Sequence, residues 1–123
     1  MSYRRAIAIN GVLFAGMFLV LCFFPKAYLA GYGIEQTDSA AFITRRASPM
    51  FLGLAYMTWA IRDMAPSAGR KVVTDGAALL LIGIAVTGLY SLSIGAVGPS
   101  ILVGAGVELA CAAALLSVLN KPL

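Results

Sequence analysis

The chain has 123 residues, of which 61% are hydrophobic and only 11% are charged, and its net charge is +4. About a quarter of the residues of soluble domains are charged, so this composition excludes an ordinary soluble domain and predicts an integral membrane protein. Four spans of roughly 20 residues each would use about 80 positions, which leaves short loops and a single domain over residues 1–123.

The first predicted span covers residues 5–24, and its apolar run begins directly after Arg4 and Arg5. Its apolar run is longer than the 7–15-residue core of a signal peptide, so we expect a span that is not cleaved. Asn10 lies in its first third. An amide at that depth usually bonds to a neighbouring helix, and a ligand contact is the alternative.

A polar, glycine-rich segment follows the first span and contains Tyr28 and Tyr32. Because tyrosine favours the membrane–water boundary, we expect this segment to lie at the interface. The second predicted span covers residues 46–63, with a kink at Pro49. Arg46 opens this span, at a boundary where long basic side chains usually extend toward water.

The third predicted span covers residues 72–92, with Thr87 and Tyr90 toward its far end. Asp75 is expected in its first turn, where a carboxylate meets the positive end of the helix dipole and can pair with Arg70 or Lys71. The fourth span covers residues 99–118 after a turn rich in glycine. The predicted fold class is therefore all-α, an integral membrane four-helix bundle.

Lysine and arginine counts in short loops predict the orientation of a membrane protein, because these residues accumulate on the cytoplasmic side. Most of the nine basic residues flank the predicted spans on the side of the two termini, and Lys26, Arg45 and Arg46 lie on the other. We therefore expect a multi-pass protein of the bacterial inner membrane with both termini cytoplasmic.

Glu108 lies near the middle of the fourth span. An ionised carboxylate at that depth costs about 2.5–3.5 kcal/mol on insertion scales, so it should face protein or water. We considered two kinds of structural partner, Arg46 in an ion pair or a hydroxyl group bonded to a protonated Glu108; a ligand or proton role is the third possibility. The candidate hydroxyls belong to Tyr56, Thr58, Thr87 and Tyr90.

Three short motifs carry a resemblance: a tyrosine–glycine turn in residues 31–34, an arginine followed by a glycine in residues 46–54, and a tryptophan near an arginine in residues 59–63. With these motifs the chain resembles small bacterial four-helix membrane proteins of unknown function, loosely related to DoxX-like proteins. The resemblance implies a four-helix bundle. DoxX-type relatives are sometimes associated with quinone-linked redox complexes, but this chain has no histidine, the usual haem ligand, and we expect neither cofactor nor metal.

Two functions are compatible with these observations, and an enzyme is a third, less favoured one because no second catalytic group is visible at the depth of Glu108. The first is a non-catalytic accessory or structural subunit of a larger membrane assembly or of a homo-oligomer, favoured by small residues on the last two spans. The second is a carrier or binder of a small hydrophobic or cationic ligand that uses Glu108. Beyond the lipid bilayer and such a partner we expect no nucleic acid, because no basic patch is interleaved with aromatic residues.

Overall fold

The computed structural model describes residues 1–123 and consists of helices joined by short turns, with no strand. The all-α prediction is thus confirmed. The five helices are α1 Tyr3–Phe23, α2 Pro25–Gly31, α3 Asp38–Ala60, α4 Ala68–Ser93 and α5 Ile101–Val118.

Hydroxyl side chains set the starts of the three helices α1, α3 and α4. Ser2, Thr37 and Ser67 each accept a hydrogen bond from the backbone N–H three residues further along, which satisfies one of the free donors of the first turn. Because Ser67 caps α4, that helix begins earlier than the third predicted span. Asp75 therefore lies two turns inside α4 rather than in its first turn, and it pairs with Lys71 one turn before it.

Two prolines act differently in the first half of the chain. Pro25 stands at the first position of α2, where its missing N–H leaves no bond unmade. Pro49 lies inside α3, which continues to Ala60, and its missing N–H would leave the carbonyl of Arg45 without a donor. The hydroxyl of Ser48 donates to that carbonyl at 2.7 Å. The helix thus runs through Pro49, and a kink there stays a prediction.

The long helices form two antiparallel pairs, α1 with α3 and α4 with α5. Gly11 allows the close approach in the first pair, because a Cβ atom there would stand 3.1 Å from the hydroxyl oxygen of Thr58. Small side chains fill the seam of the second pair, where the buried residues include Ala77, Ala78, Ala85, Ala105 and Ala112. Contacts between the pairs are less extensive and involve mainly α1 with α5 and α3 with α4.

Only 25 of the 123 residues are buried, and many large apolar side chains point outward. Such a surface is suited to lipid rather than to water. Three helices, α1, α4 and α5, are long and apolar enough to cross a membrane, so the structure is that of a membrane protein with three candidate spans. α3 is long enough but less apolar, since it contains Asp38, Arg45 and Arg46. Its role as a span stays a prediction.

Arg70 joins the two pairs at the end of the bundle that holds both termini. Its side chain is buried, and its Cζ atom lies 3.4 Å from the centre of the Tyr3 ring at the start of α1. The guanidinium donates to the carbonyls of Met64, Leu119 and Lys121. We call this arrangement the Arg70 clamp. It connects the start of α1, the loop after α3, and the residues just past α5.

The Arg70 clamp contains no carboxylate. Its charge is instead balanced by carbonyl oxygens at the end of α5, where helix carbonyls lack internal partners and the helix dipole is negative. The Tyr3 hydroxyl extends the clamp by sharing a hydrogen bond of 3.0 Å with Thr74 on α4.

Backbone and hydroxyl groups join the pairs at the opposite end. The hydroxyl of Ser100, just before α5, donates to the carbonyl of Gly31 at 2.6 Å, and the N–H of Gly98 donates to the carbonyl of Tyr32 at 2.8 Å. The segment that follows α2 is therefore attached to the turn between α4 and α5. With the Arg70 clamp, these bonds hold the two pairs together at both ends.

We predict that Arg70→Met lowers the free energy of unfolding by about 2–4 kcal/mol, because it leaves three carbonyls without their donor and removes the contact with the Tyr3 ring. Thermal unfolding in detergent measures the loss. The matched control is Lys71→Met, whose exposed pair with Asp75 is worth only a few tenths of a kcal/mol. Equal effects of the two substitutions would contradict the clamp.

Candidate functional site

A cavity of about 500 Å³ lies between the two helix pairs. All five helices contribute to its wall, and 14 of its 17 lining residues are hydrophobic. The apolar part of the wall is formed chiefly by Phe14, Met17, Met50, Phe51 and Leu81. We call this space the inter-pair cavity. It exists because the pairs are joined at their ends and pack less closely between them.

Glu108 is the one charged residue in the wall of the inter-pair cavity. It is the eighth residue of α5, and at 1.5 Å per residue it lies about 10 Å along the helix from its start. The side chain is partly buried and forms no salt bridge with any basic residue of the chain. The carboxylate is therefore available to a molecule in the cavity.

Tyr28 and Tyr32 line the same cavity from α2 and from the residue that follows it. Their ring centres are 5.0 Å apart in an edge-to-face arrangement. The Tyr32 hydroxyl lies over Gly104, one turn before Glu108, where an added Cβ atom would come within 2.9 Å of the hydroxyl oxygen. Because Gly104 has no side chain, the Tyr32 ring can lie against α5 at this position.

Burial raises the pKa of Tyr28 to about 12, with further contributions from the neighbouring Tyr32 and Glu108. The Tyr28 phenol accordingly stays protonated at neutral pH and can donate a hydrogen bond. We call Tyr28, Tyr32 and Glu108 the polar cluster of the cavity. It combines one acidic group with two phenols on a mainly apolar wall, which suits a molecule that is apolar over most of its surface and polar or cationic at one point.

Arg46 lies outside this site. Its side chain is exposed on the outer face of α3, over the ring of Phe42 at 5.8 Å, whereas its neighbours Ala47 and Met50 face the cavity. The ion pair between Arg46 and Glu108 is therefore not formed. The two residues were placed at compatible depths, but the rotation of α3 turns Arg46 away.

The hydroxyls considered as partners of Glu108 also bond elsewhere or point outward. Tyr56 and Tyr90 are exposed. Thr87 donates to the carbonyl of Ile84 at 2.9 Å, and Thr58 donates to that of Leu54 at 2.7 Å. Such bonds to the preceding turn are the usual local solution for a hydroxyl in a helix.

Asn10 is buried but does not line the inter-pair cavity. Its Nδ2 donates to the carbonyl of Ala6 in its own helix at 2.9 Å, and its Oδ1 has no hydrogen-bond partner. The predicted bond to a neighbouring helix is therefore absent. An unpaired buried acceptor costs about 1–3 kcal/mol of folding free energy, and the Oδ1 atom of Asn10 is such an acceptor.

Sequence reasoning missed the contribution of Tyr28 and Tyr32 to the site. The signal was present, since both were assigned to an interfacial segment, but their approach to Glu108 depends on a short helix that folds back over the cavity.

Among the other polar groups, no three side chains of the types that bind metals come together. The chain matches no protein-family model, no curated protein sequence and no solved structure. The inter-pair cavity is thus the feature from which a function can be argued.

We predict that the phenol of Tyr28 titrates with a midpoint near pH 12, compared with about 10 for an unperturbed tyrosine. The absorbance difference between the wild-type protein and Tyr28→Phe during an alkaline titration measures it. Because the folded-state pKa is the higher one, the contribution of Tyr28 to stability is complete below about pH 10 and is lost as the pH rises toward 12.

Glu108→Gln should lower this midpoint, because it removes one of the neighbouring charges while burial remains. Asp75→Asn, which changes a carboxylate outside the cavity, is the control and should leave the midpoint unchanged. A Tyr28 midpoint near 10 in the wild-type protein would show that the polar cluster is not assembled.

Proposed function

We propose that this protein binds, and in a dimer could carry, a small and mainly apolar molecule with a cationic group, using Glu108 as its counter-ion. The observation that supports this proposal is the position of Glu108, the one charged group on the wall of an apolar cavity and without a basic partner in the chain. An ionisable residue within a membrane span marks a candidate functional site by default.

The size and energetics of the cavity support the same proposal. Its volume of about 500 Å³ falls within the range of small-molecule sites, about 300–1,000 Å³. An ammonium group 4 Å from the carboxylate gains about 4 kcal/mol at an effective dielectric constant of 20. That gain is comparable to the 2.5–3.5 kcal/mol, roughly, that an ionised glutamate costs within a membrane. A cationic ligand therefore offsets the cost of keeping Glu108 ionised.

We propose that the protein lies in the bacterial inner membrane, as its resemblance to small bacterial membrane proteins implies, with four spans and both termini in the cytoplasm. Two observations support this topology. Both termini lie at the Arg70 clamp, on one end of the bundle, and a chain whose ends share one side crosses the membrane an even number of times. With α1, α4 and α5 as candidate spans, α3 supplies the fourth crossing, and the excess of basic residues favours the cytoplasm for the terminal end.

Labelling of introduced cysteines tests this topology, in a variant with Cys22 and Cys111 replaced by serine. A membrane-impermeant thiol reagent applied to intact cells should label Gln36→Cys, in the turn after α2, and should label Ser67→Cys, in the loop before α4, only after permeabilisation. Labelling of Ser67→Cys alone in intact cells would indicate the opposite orientation. Equal labelling of both positions in intact cells would contradict four spans.

For the binding function we predict that naphthylethylamine, which is cationic at neutral pH, raises the thermal unfolding temperature of the protein in detergent more than its neutral isostere naphthylethanol does. Glu108→Gln should abolish this preference for the amine while leaving the fold intact, because the glutamine fills the same space without the charge. Fluorescence titration of the naphthyl group gives the dissociation constant of each probe. The amine should bind Glu108→Gln about tenfold or more weakly than it binds the wild-type protein.

The control for this experiment is Glu35→Gln, which makes the same chemical change at an exposed position outside the cavity. It should bind both probes as the wild-type protein does. A Glu108→Gln variant that keeps the full preference for the amine would rule out Glu108 as the counter-ion.

A second candidate function is the accessory or structural subunit. Gly69, Gly76 and Gly83 are exposed at a spacing of seven residues along α4, with open space around each, and small residues let another helix approach closely. In the binding experiment, this candidate is favoured if neither probe binds and the protein copurifies in mild detergent with a stoichiometric membrane partner or as an oligomer. The resemblance to DoxX-like proteins is compatible with either function and stays a prediction.

A further inference from the structure

We propose that a second site, on the outer surface between α1 and α3, binds the phosphate group of an anionic phospholipid. The site is a groove of about 430 Å³, lined mainly by Phe18, Cys22, Phe42, Arg45, Arg46 and Pro49. We call it the arginine groove. It shares no lining residue with the inter-pair cavity, so this proposal does not depend on the binding function of Glu108.

Both arginines of the groove lack an acidic partner. The salt bridges of the structure engage Arg4, Arg62, Lys26 and Lys71 with aspartates, and no acidic residue lines the groove. The groove therefore carries two positive charges that no acidic side chain compensates. An anion bound in the groove restores the balance, and a phosphate group matches the fork of donors on a guanidinium.

Each of the two guanidinium groups has one contact within the protein. The Nε of Arg45 donates to the carbonyl of Cys22 at 3.3 Å, at the negative end of the α1 dipole, and its two terminal nitrogens have no partner in the protein. The guanidinium of Arg46 lies over the ring of Phe42. These contacts partly restrict the two exposed side chains, which reduces the entropy lost when an anion binds.

The position and composition of the groove favour a lipid over a free phosphate ion. Cys22 is next to the last residue of α1, so the groove lies where a membrane-spanning helix reaches the headgroup layer. Phe18, Phe42 and Pro49 give it an apolar wall, which a phosphate ion would leave empty and which an acyl chain can cover. A phospholipid supplies the charge and the chain together.

Lipid binding in nanodiscs or by native mass spectrometry tests the proposal with the full chain. We expect the wild-type protein to prefer phosphatidylglycerol over phosphatidylcholine by about tenfold or more, since both arginines attract the anionic headgroup. The double variant Arg45→Gln with Arg46→Gln should lose this preference. Glu108→Gln should keep it.

The control is the double variant Arg5→Gln with Lys121→Gln, which removes the same two charges at the other end of the bundle, where neither side chain has an acidic partner. It should retain the lipid preference. An equal loss in both double variants would mean general attraction to the membrane surface and would overturn the proposal.

Competition by a soluble phosphate and a single arginine variant provide two further tests of the lipid site. Soluble glycerol phosphate, added in excess, should not displace the lipid; if it binds as tightly, the groove recognises free phosphate and the lipid assignment is wrong. The single variant Arg46→Gln preserves the bond between Arg45 and Cys22, so it serves if the double variant does not fold. It should lose several-fold in preference for phosphatidylglycerol, and an unchanged preference would overturn the proposal.

Discussion

The buried guanidinium of Arg70 holds the two helix pairs together at the end that contains both termini. It replaces the carboxylate that usually accompanies a buried cation with three backbone carbonyls and the face of the Tyr3 ring. A buried cation without any partner would cost several kcal/mol, so these groups can be satisfied only when α1, α4 and the end of α5 are in their native places. This requirement makes the arrangement of the pairs specific, although most side chains between them are apolar.

The inter-pair cavity follows from the same constraint. Hydrogen bonds at the far end, from Ser100 to Gly31 and from Gly98 to Tyr32, fix the other limit of the bundle. Between these two ends the pairs meet less closely than the helices within each pair. Space remains beside Glu108 because the hydrophobic core that the two pairs share, which includes Phe14 and Leu81, does not fill the gap next to α5. A membrane permits this, since lipid exerts no hydrophobic force that closes an apolar gap.

The sequence was sufficient for the helices and insufficient for their rotation. Long apolar runs predict the four long helices, although α3 begins at Asp38, before its predicted span, and the tyrosine–glycine stretch marks the segment that includes α2. Depth along a helix can be counted at 1.5 Å per residue, which is why Arg46 and Glu108 seemed able to meet. In a chain that is apolar on nearly every face, periodicity does not tell which face turns inward. Arg46, Tyr56 and Tyr90 therefore point outward in the structure. Arg70 is the opposite case, because it is buried in the structure although a basic residue in a polar loop is normally solvated. Nothing in the neighbouring sequence predicts its burial.

Tyr32 is attached to both helix pairs. Its carbonyl is bonded to the turn before α5 and its ring rests on Gly104 of α5, whereas α2, which it directly follows, packs against α1 and α3. The facing wall, formed by residues such as Phe14, Met17 and Phe51, belongs to the pair of α1 and α3. For the binding function that we propose, the polar end of the cavity lies where the two pairs are bonded to each other, and the apolar wall lies where they are not. We therefore expect a ligand to be recognised strictly at its polar group and more permissively over its apolar part.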